Sequence, residues 1–181
     1  MALPKFLYLS LSLVLLTGCH AVYSTHPVGE TPAAVSPDDW EGTWVHKDGA
    51  VTVAVLDRER GILDVGWVEK KQERLQFEHY QVQLRKSGEW LFGNVQDPDK
   101  PKLYVWARIR NEDGQIIVWV PDVEKTKALV EKGMLPGRVE KKDGDVVLSA
   151  IGTAELKAII SGEKCMIFDW SQPRIFRRLT N

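Results

Sequence analysis

Between Trp40 and Val120 the chain is interrupted repeatedly by turn-forming groups: Lys47-Asp48-Gly49, Arg60-Gly61, Ser87-Gly88 and Asp113-Gly114. Glycine in these settings supplies the positive φ that a tight hairpin needs. The segments left between the turns are 40–46, 51–57, 62–69, 74–86, 89–96, 103–110 and 115–120, and they are rich in Val, Ile, Trp and Tyr. Such residues favour a pleated, half-buried surface. Strands joined this closely pair antiparallel with their neighbours, so the pattern predicts a meander. In the longest segment Leu75 and Phe77 share one face, whereas Tyr80, Val82 and Leu84 share the other. That change of phase predicts a bulge or bend near Glu78-His79, as in a curling sheet.

The last third mixes element types. Asp122 can cap a helix running to about residue 132, with Val123, Leu129 and Val130 apolar and Gly133 as its stop. Segments 138–142 and 145–150 flank Asp143-Gly144 as strands, and Thr153 caps a second helix carrying Leu156, Ile159 and Ile160 at helical spacing. Two strands near 166–170 and 174–179 close the chain. The fold class expected is β-rich α+β: a curled, mostly antiparallel sheet or barrel-like meander with two short helices in the C-terminal third. Residues 39–181 form it as one globular domain, long enough for a core without cross-links. With 24 Lys+Arg against 25 Asp+Glu, the basic excess that nucleic-acid binding requires is missing, so no nucleic-acid partner is expected.

Ahead of this domain Lys5 precedes an apolar run from Phe6 to Leu16, which ends in Leu16-Thr17-Gly18-Cys19. A run this short, followed by small residues, reads as a signal peptide over 1–18 and not as a membrane span. The tetrapeptide resembles the lipobox of bacterial lipoproteins. The resemblance implies cleavage before Cys19 and acyl chains, palmitate among them, on its sulfur and on the new amino group. Because His20 and not Asp follows, it also implies the outer membrane, with the domain facing the periplasm. Each buried methylene contributes about 0.8 kcal/mol, so two or three chains hold a protein firmly. Residues 19–38 then carry the lipidated Cys and a flexible tether, with Pro27, Pro32 and Pro37 among small polar residues. Cys165, within Cys165-Met166-Ile167-Phe168, reads as a buried, inert thiol.

Gly42-Thr43-Trp44 opens the first strand and looks like the Gly-x-Trp start of lipocalins. That resemblance implies an eight-stranded barrel whose floor the Trp closes, with Arg174 or Arg177 as the late Arg that covers it. The chain holds seven Trp, most of them on expected strands. Indole combines large apolar area with one N–H donor, so Trp44, Trp67, Trp90 and Trp106 are candidates for lining an apolar ligand site, core packing being the competing role. No Gly-x-Ser-x-Gly, His-Glu-x-x-His, phosphate-binding Gly-rich loop or Cys-x-x-Cys occurs. No catalytic residue, metal ligand or cofactor is therefore assigned. The expected role is non-catalytic: a lipid-anchored envelope protein binding a hydrophobic ligand or an envelope partner. The alternatives are an accessory that presents a sheet edge to an envelope complex, and an enzyme acting on cell-wall material, which would need converging acids.

Overall fold

A computed structural model describes residues 20–71, 74–160 and 167–180. The signal peptide, Cys19 and Cys165 lie outside the described residues. The elements in chain order are β1 (Val22–Ser24), β2 (Thr31–Pro32), α1 (Pro37–Trp40), β3 (Gly42–His46), β4 (Gly49–Asp57), β5 (Ile62–Lys71) and β6 (Arg74–Ser87). They continue with β7 (Trp90–Gln96), β8 (Tyr104–Glu112), β9 (Gln115–Trp119), α2 (Val123–Glu131), β10 (Gly137–Val139), β11 (Val146–Leu148), α3 (Thr153–Ile160) and β12 (Arg174–Arg178).

From β3 to β9 each strand pairs antiparallel with the one before it. β12 then returns from the C-terminal third and pairs with β9 on one side and β3 on the other. Eight strands thereby close into an antiparallel barrel, the limiting case of the curled meander and one that leaves no edge along its closed length. Three of the four hairpin glycines behave as the turn chemistry predicts, Gly61, Gly88 and Gly114 having positive φ, whereas Gly49 is the first residue of β4 and pairs with His46. At Gly61 space adds to conformation, because a Cβ there would lie 2.2 Å from the Ala33 carbonyl oxygen.

Alternation along the strands divides the apolar residues between two cores. Trp44, Val53, Leu63, Leu84 and Ile116 point into the barrel together with Val51, Val65, Val82, Ile109, Val118 and Phe176. The opposite face of β7, β8 and β9 carries Phe92, Trp106 and Trp119, which pack under Val146, Leu148, Leu156, Ile159 and Phe168. That outer core is roofed by a side sheet. β1 pairs antiparallel with the first residues of β8 and parallel with β11, and β10 pairs with β11. α2 begins as expected, with the Asp122 carboxylate accepting from Lys125 N–H, and α2 and α3 are the two helices foreseen in the C-terminal third.

The structure corrects two expectations. The tether expected over 19–38 is part of the fold from His20 onward. Val22, Tyr23, Val28 and Ala33 are buried, and Pro32 and Pro37 belong to β2 and α1 instead of a linker. Pro37 occupies the first turn of α1, where a missing N–H costs nothing. The Glu30 carboxyl is held below its usual pKa by hydrogen bonds from Thr153 and then Ser87, tying this segment to both α3 and β6. The bulge near Glu78-His79 is also absent, since β5 and β6 pair without a break from Ile62↔Gln83 to Lys71↔Arg74. With no bulge to turn them inward, Leu75 and Phe77 face out, 77% and 69% exposed. No helix among the described residues is long and apolar enough to cross a membrane.

Candidate functional site: the interior of the barrel

One end of the barrel is shut by α1. Trp40 caps the inner core, and Trp44, only 1% exposed, donates its Nε1–H to the Trp40 carbonyl at 3.0 Å. Arg178 lies opposite Trp44 in the β12–β3 register. Its guanidinium sits 5.1 Å from the indole centroid and donates to the Glu41 carbonyl. A cation over an indole contributes about 0.5–2 kcal/mol, depending on how dry the site is. Trp44 thus closes a barrel floor, but the Arg over it is Arg178 and not Arg174 or Arg177. Arg177 is exposed between Gln115 and Val45 on the outer wall, and Arg174 is at the other end of the barrel.

Above the floor is a cavity of about 150 Å³ whose lining side chains are all apolar, with Val51, Val53, Leu63, Val65, Ile116 and Phe176 among them. Phe176 also borders the cleft of about 590 Å³ at the open end, which adds His46, Trp67, Glu69 and Arg174. The His46 and Trp67 rings lie 5.2 and 6.0 Å from the Phe176 ring, Trp67 edge-on. These three rings form a collar between the apolar cavity and a polar mouth. On the same inward face of β6, Tyr80 donates to Glu78, and burial, reinforced by that carboxylate, pushes its phenol pKa up to about 12. A second large cleft, about 520 Å³, lies beyond the floor and is lined mostly by charged and polar groups such as Asp39, Glu89, Arg110 and Asp113.

Of the four Trp candidates, the structure brings two to this site. Trp44 forms the floor and Trp67 the mouth. Trp90 and Trp106 lie outside the barrel in the aromatic stack of the outer core. Trp106 is 5.9 Å from Phe168 and 6.0 Å from Phe92, and Trp90 is 5.8 Å from Trp170. The Arg108 guanidinium inserts among Trp90, Trp170 and Trp119 at 3.9, 4.7 and 5.0 Å. That arrangement packs the outer core and stands apart from the barrel cavity. Sequence reasoning missed His46, Phe176 and Arg178, because their facing depends on which strands β12 joins. His79 pairs with Asp64 at 2.5 Å, two strand residues on the outer wall and away from the cavity.

Floor, apolar interior and polar mouth together define a class of protein: a closed eight-stranded antiparallel barrel with an apolar chamber open at one end. Comparison of the chain with protein-family models, curated proteins and solved structures found no match.

Proposed function

We propose that this chain is a lipid-anchored envelope protein that holds a small apolar molecule, or the apolar end of an amphiphile, inside its barrel without transforming it. The observation carrying this reading is the wholly apolar cavity beneath a polar mouth. A dry apolar void leaves its lining without dispersion partners, and an apolar guest restores them. At roughly 24 cal/mol per Å³, filling 150 Å³ is worth on the order of 3–4 kcal/mol. Alone that corresponds to a dissociation constant of about 1 mM or weaker. Tighter binding therefore requires a head group that His46, Glu69 and Arg174 can meet at the mouth. The volume also sets the guest's size, since a cavity of about 150 Å³ takes a benzene-sized group and not a whole membrane lipid.

Titration calorimetry with a series of 1-alkanols is expected to show affinity rising to about six carbons and then levelling. Val53→Phe, which fills the chamber, is expected to weaken hexanol binding at least tenfold while the circular dichroism spectrum stays that of the parent. Binding that is absent in the parent, or equal in both proteins, would remove the ligand reading.

Leu16-Thr17-Gly18-Cys19 supports an acyl anchor on Cys19, placing the domain at the outer membrane on its periplasmic side. Among the described residues the fold reaches back to His20, whose ring contacts the Asp143 carbonyl, so acyl chains on the adjacent Cys19 would hold the domain against the bilayer. Cys19→Ser is expected to move the protein from the membrane pellet to the soluble envelope fraction and to abolish incorporation of labelled palmitate. Unchanged retention would break the link between Cys19 and the membrane.

A further inference from the structure

β6 is longer than its neighbour on one side. β7 pairs with it only from Val82 to Ser87, whereas on the other edge β5 covers it from Arg74 to Gln83 and β2 covers Arg85 and Lys86. Residues 74–81 therefore present an edge that no described strand covers. The direction of their backbone groups follows from contacts further along. Leu84 N–H donates to Gly61 and the Leu84 and Lys86 carbonyls accept from Ala33 and Glu30 on the β5 side, whereas the Gln83 carbonyl accepts from Asn94 on the β7 side. Because the β5–β6 register is unbroken, the odd-numbered residues Leu75 and Phe77 turn their N–H and C=O groups to the open edge. Their side chains form the outer end of an apolar row across four strands, Val45↔Ala50↔Val68↔Phe77, and the Phe77 ring lies over Gly66.

Open edges in natural sheets are usually blunted by Pro, a bulge or charged side chains. Arg74-Leu75-Gln76-Phe77-Glu78 has no Pro and no bulge, and its two charges, on Arg74 and Glu78, are opposite in sign. It has instead a mirror pattern about Gln76. In an antiparallel two-fold pairing centred there, Arg74 faces Glu78 of the copy, Leu75 faces Phe77, and Gln76 faces Gln76. Each cross-strand pair is complementary, in charge, in apolar character or in amide chemistry. Leu75 and Phe77 of the two copies would exchange four N–H···O=C bonds, and Gln76 would meet its equivalent as a non-hydrogen-bonded pair. The pairing ends at Glu78, short of Val82 where β7 takes up the edge, so β7 does not obstruct it. The Glu78 oxygen used by Tyr80 is Oε2, which leaves Oε1 to face Arg74.

We infer that this edge of β6 is a self-recognition site through which two copies of the chain join their barrels into one continuous antiparallel sheet. The inference stands apart from the cavity and from the anchor, since it needs neither ligand nor lipid.

The register makes it testable in the full chain, by mild oxidation of single-cysteine variants carried in a background with Cys19→Ser and Cys165→Ser. Gln76→Cys places two thiols on the two-fold axis about 4.5 Å apart between Cα atoms, within disulfide range. It is expected to give a covalent dimer at least fivefold more abundant than Leu75→Cys or Phe77→Cys, whose symmetry mates are out of register. Charge reversal gives an independent measure by sedimentation of the detergent-extracted protein. Arg74→Glu and Glu78→Arg each set like charges opposite one another twice per dimer, and each should weaken association roughly fivefold or more. The double reversal should restore it. Equal cross-linking at 75, 76 and 77, cross-linking of Gln76→Cys to a different protein, or single reversals without effect would each overturn the inference.

Discussion

Asn94→Asp is expected to lose about 3–5 kcal/mol of stability and to release residues 25–30 from the barrel wall. Asn94 is 1% exposed. Its side-chain oxygen accepts from Val28 N–H at 2.6 Å, and its amide nitrogen donates to the Val28 carbonyl at 3.0 Å and the Gln83 carbonyl at 3.2 Å. The side chain thus acts as one residue of a missing strand, matching both backbone groups of Val28 where that residue crosses β7. A carboxylate keeps the acceptor but replaces the donor with a second acceptor aimed at two carbonyls. Each orphaned buried group costs about 1–3 kcal/mol, and the unpaired buried charge adds to that. Asn94→Leu introduces no charge but also orphans the Val28 N–H that a carboxylate still accepts, so comparing the two separates the charge from the lost bonds. Urea unfolding would give the free energies, and hydrogen exchange at Val28 N–H would report local release. If Asn94→Asp stays within 1 kcal/mol of the parent and Val28 remains protected, something other than this amide pins the segment.

That segment also shows where sequence reasoning failed. Ala21-Val22-Tyr23, Val28 and Ala33-Ala34-Val35 are short apolar groups separated by Ser, Thr, His and Pro, so no period marks them. Their burial comes from partners far along the chain, Asn94, β8 and β11, which local composition does not encode. The turns were legible because their cause is local: a glycine after Ser, Arg or Asp needs no distant partner to set its φ. Facing was legible only in part. On a sheet with one wet side, alternation separates core from solvent. Here β7, β8 and β9 are covered on both sides, so Trp90, Trp106 and Trp119 look identical in sequence to residues that line the chamber. Leu75 and Phe77 misled for a related reason. A chain that switches its apolar face is expected to bulge, whereas this one keeps register and leaves the two side chains outside.

The floor residue, by contrast, was legible from three residues, and its role sets the second large effect. Trp44→Ala is expected to cost about 3–5 kcal/mol, the usual range for deleting a fully buried aromatic ring. Three losses combine: the indole's packing against Trp40 and the inner core, the Nε1–H bond to the Trp40 carbonyl, and the face over which Arg178 lies. Graded variants separate them. Trp44→Phe keeps a ring but gives up the N–H bond, worth about 0.5–1.5 kcal/mol, along with part of the buried area. Arg178→Met keeps the aliphatic stem but loses the cation and its bond to the Glu41 carbonyl, for about 1–2 kcal/mol. The expected order of loss in urea unfolding is Trp44→Ala, then Trp44→Phe and Arg178→Met. Function should follow the floor as well as stability does. Without the indole, the 150 Å³ chamber opens toward the charged cleft around Asp39 and Arg110. Water can then enter from below, and an apolar guest gains a second exit. Hexanol should therefore dissociate at least tenfold faster from the folded Trp44→Ala protein, measured below its unfolding transition, than from the parent. A Trp44→Ala protein that loses stability but keeps the parent's dissociation rate would mean that Trp40 alone seals the chamber.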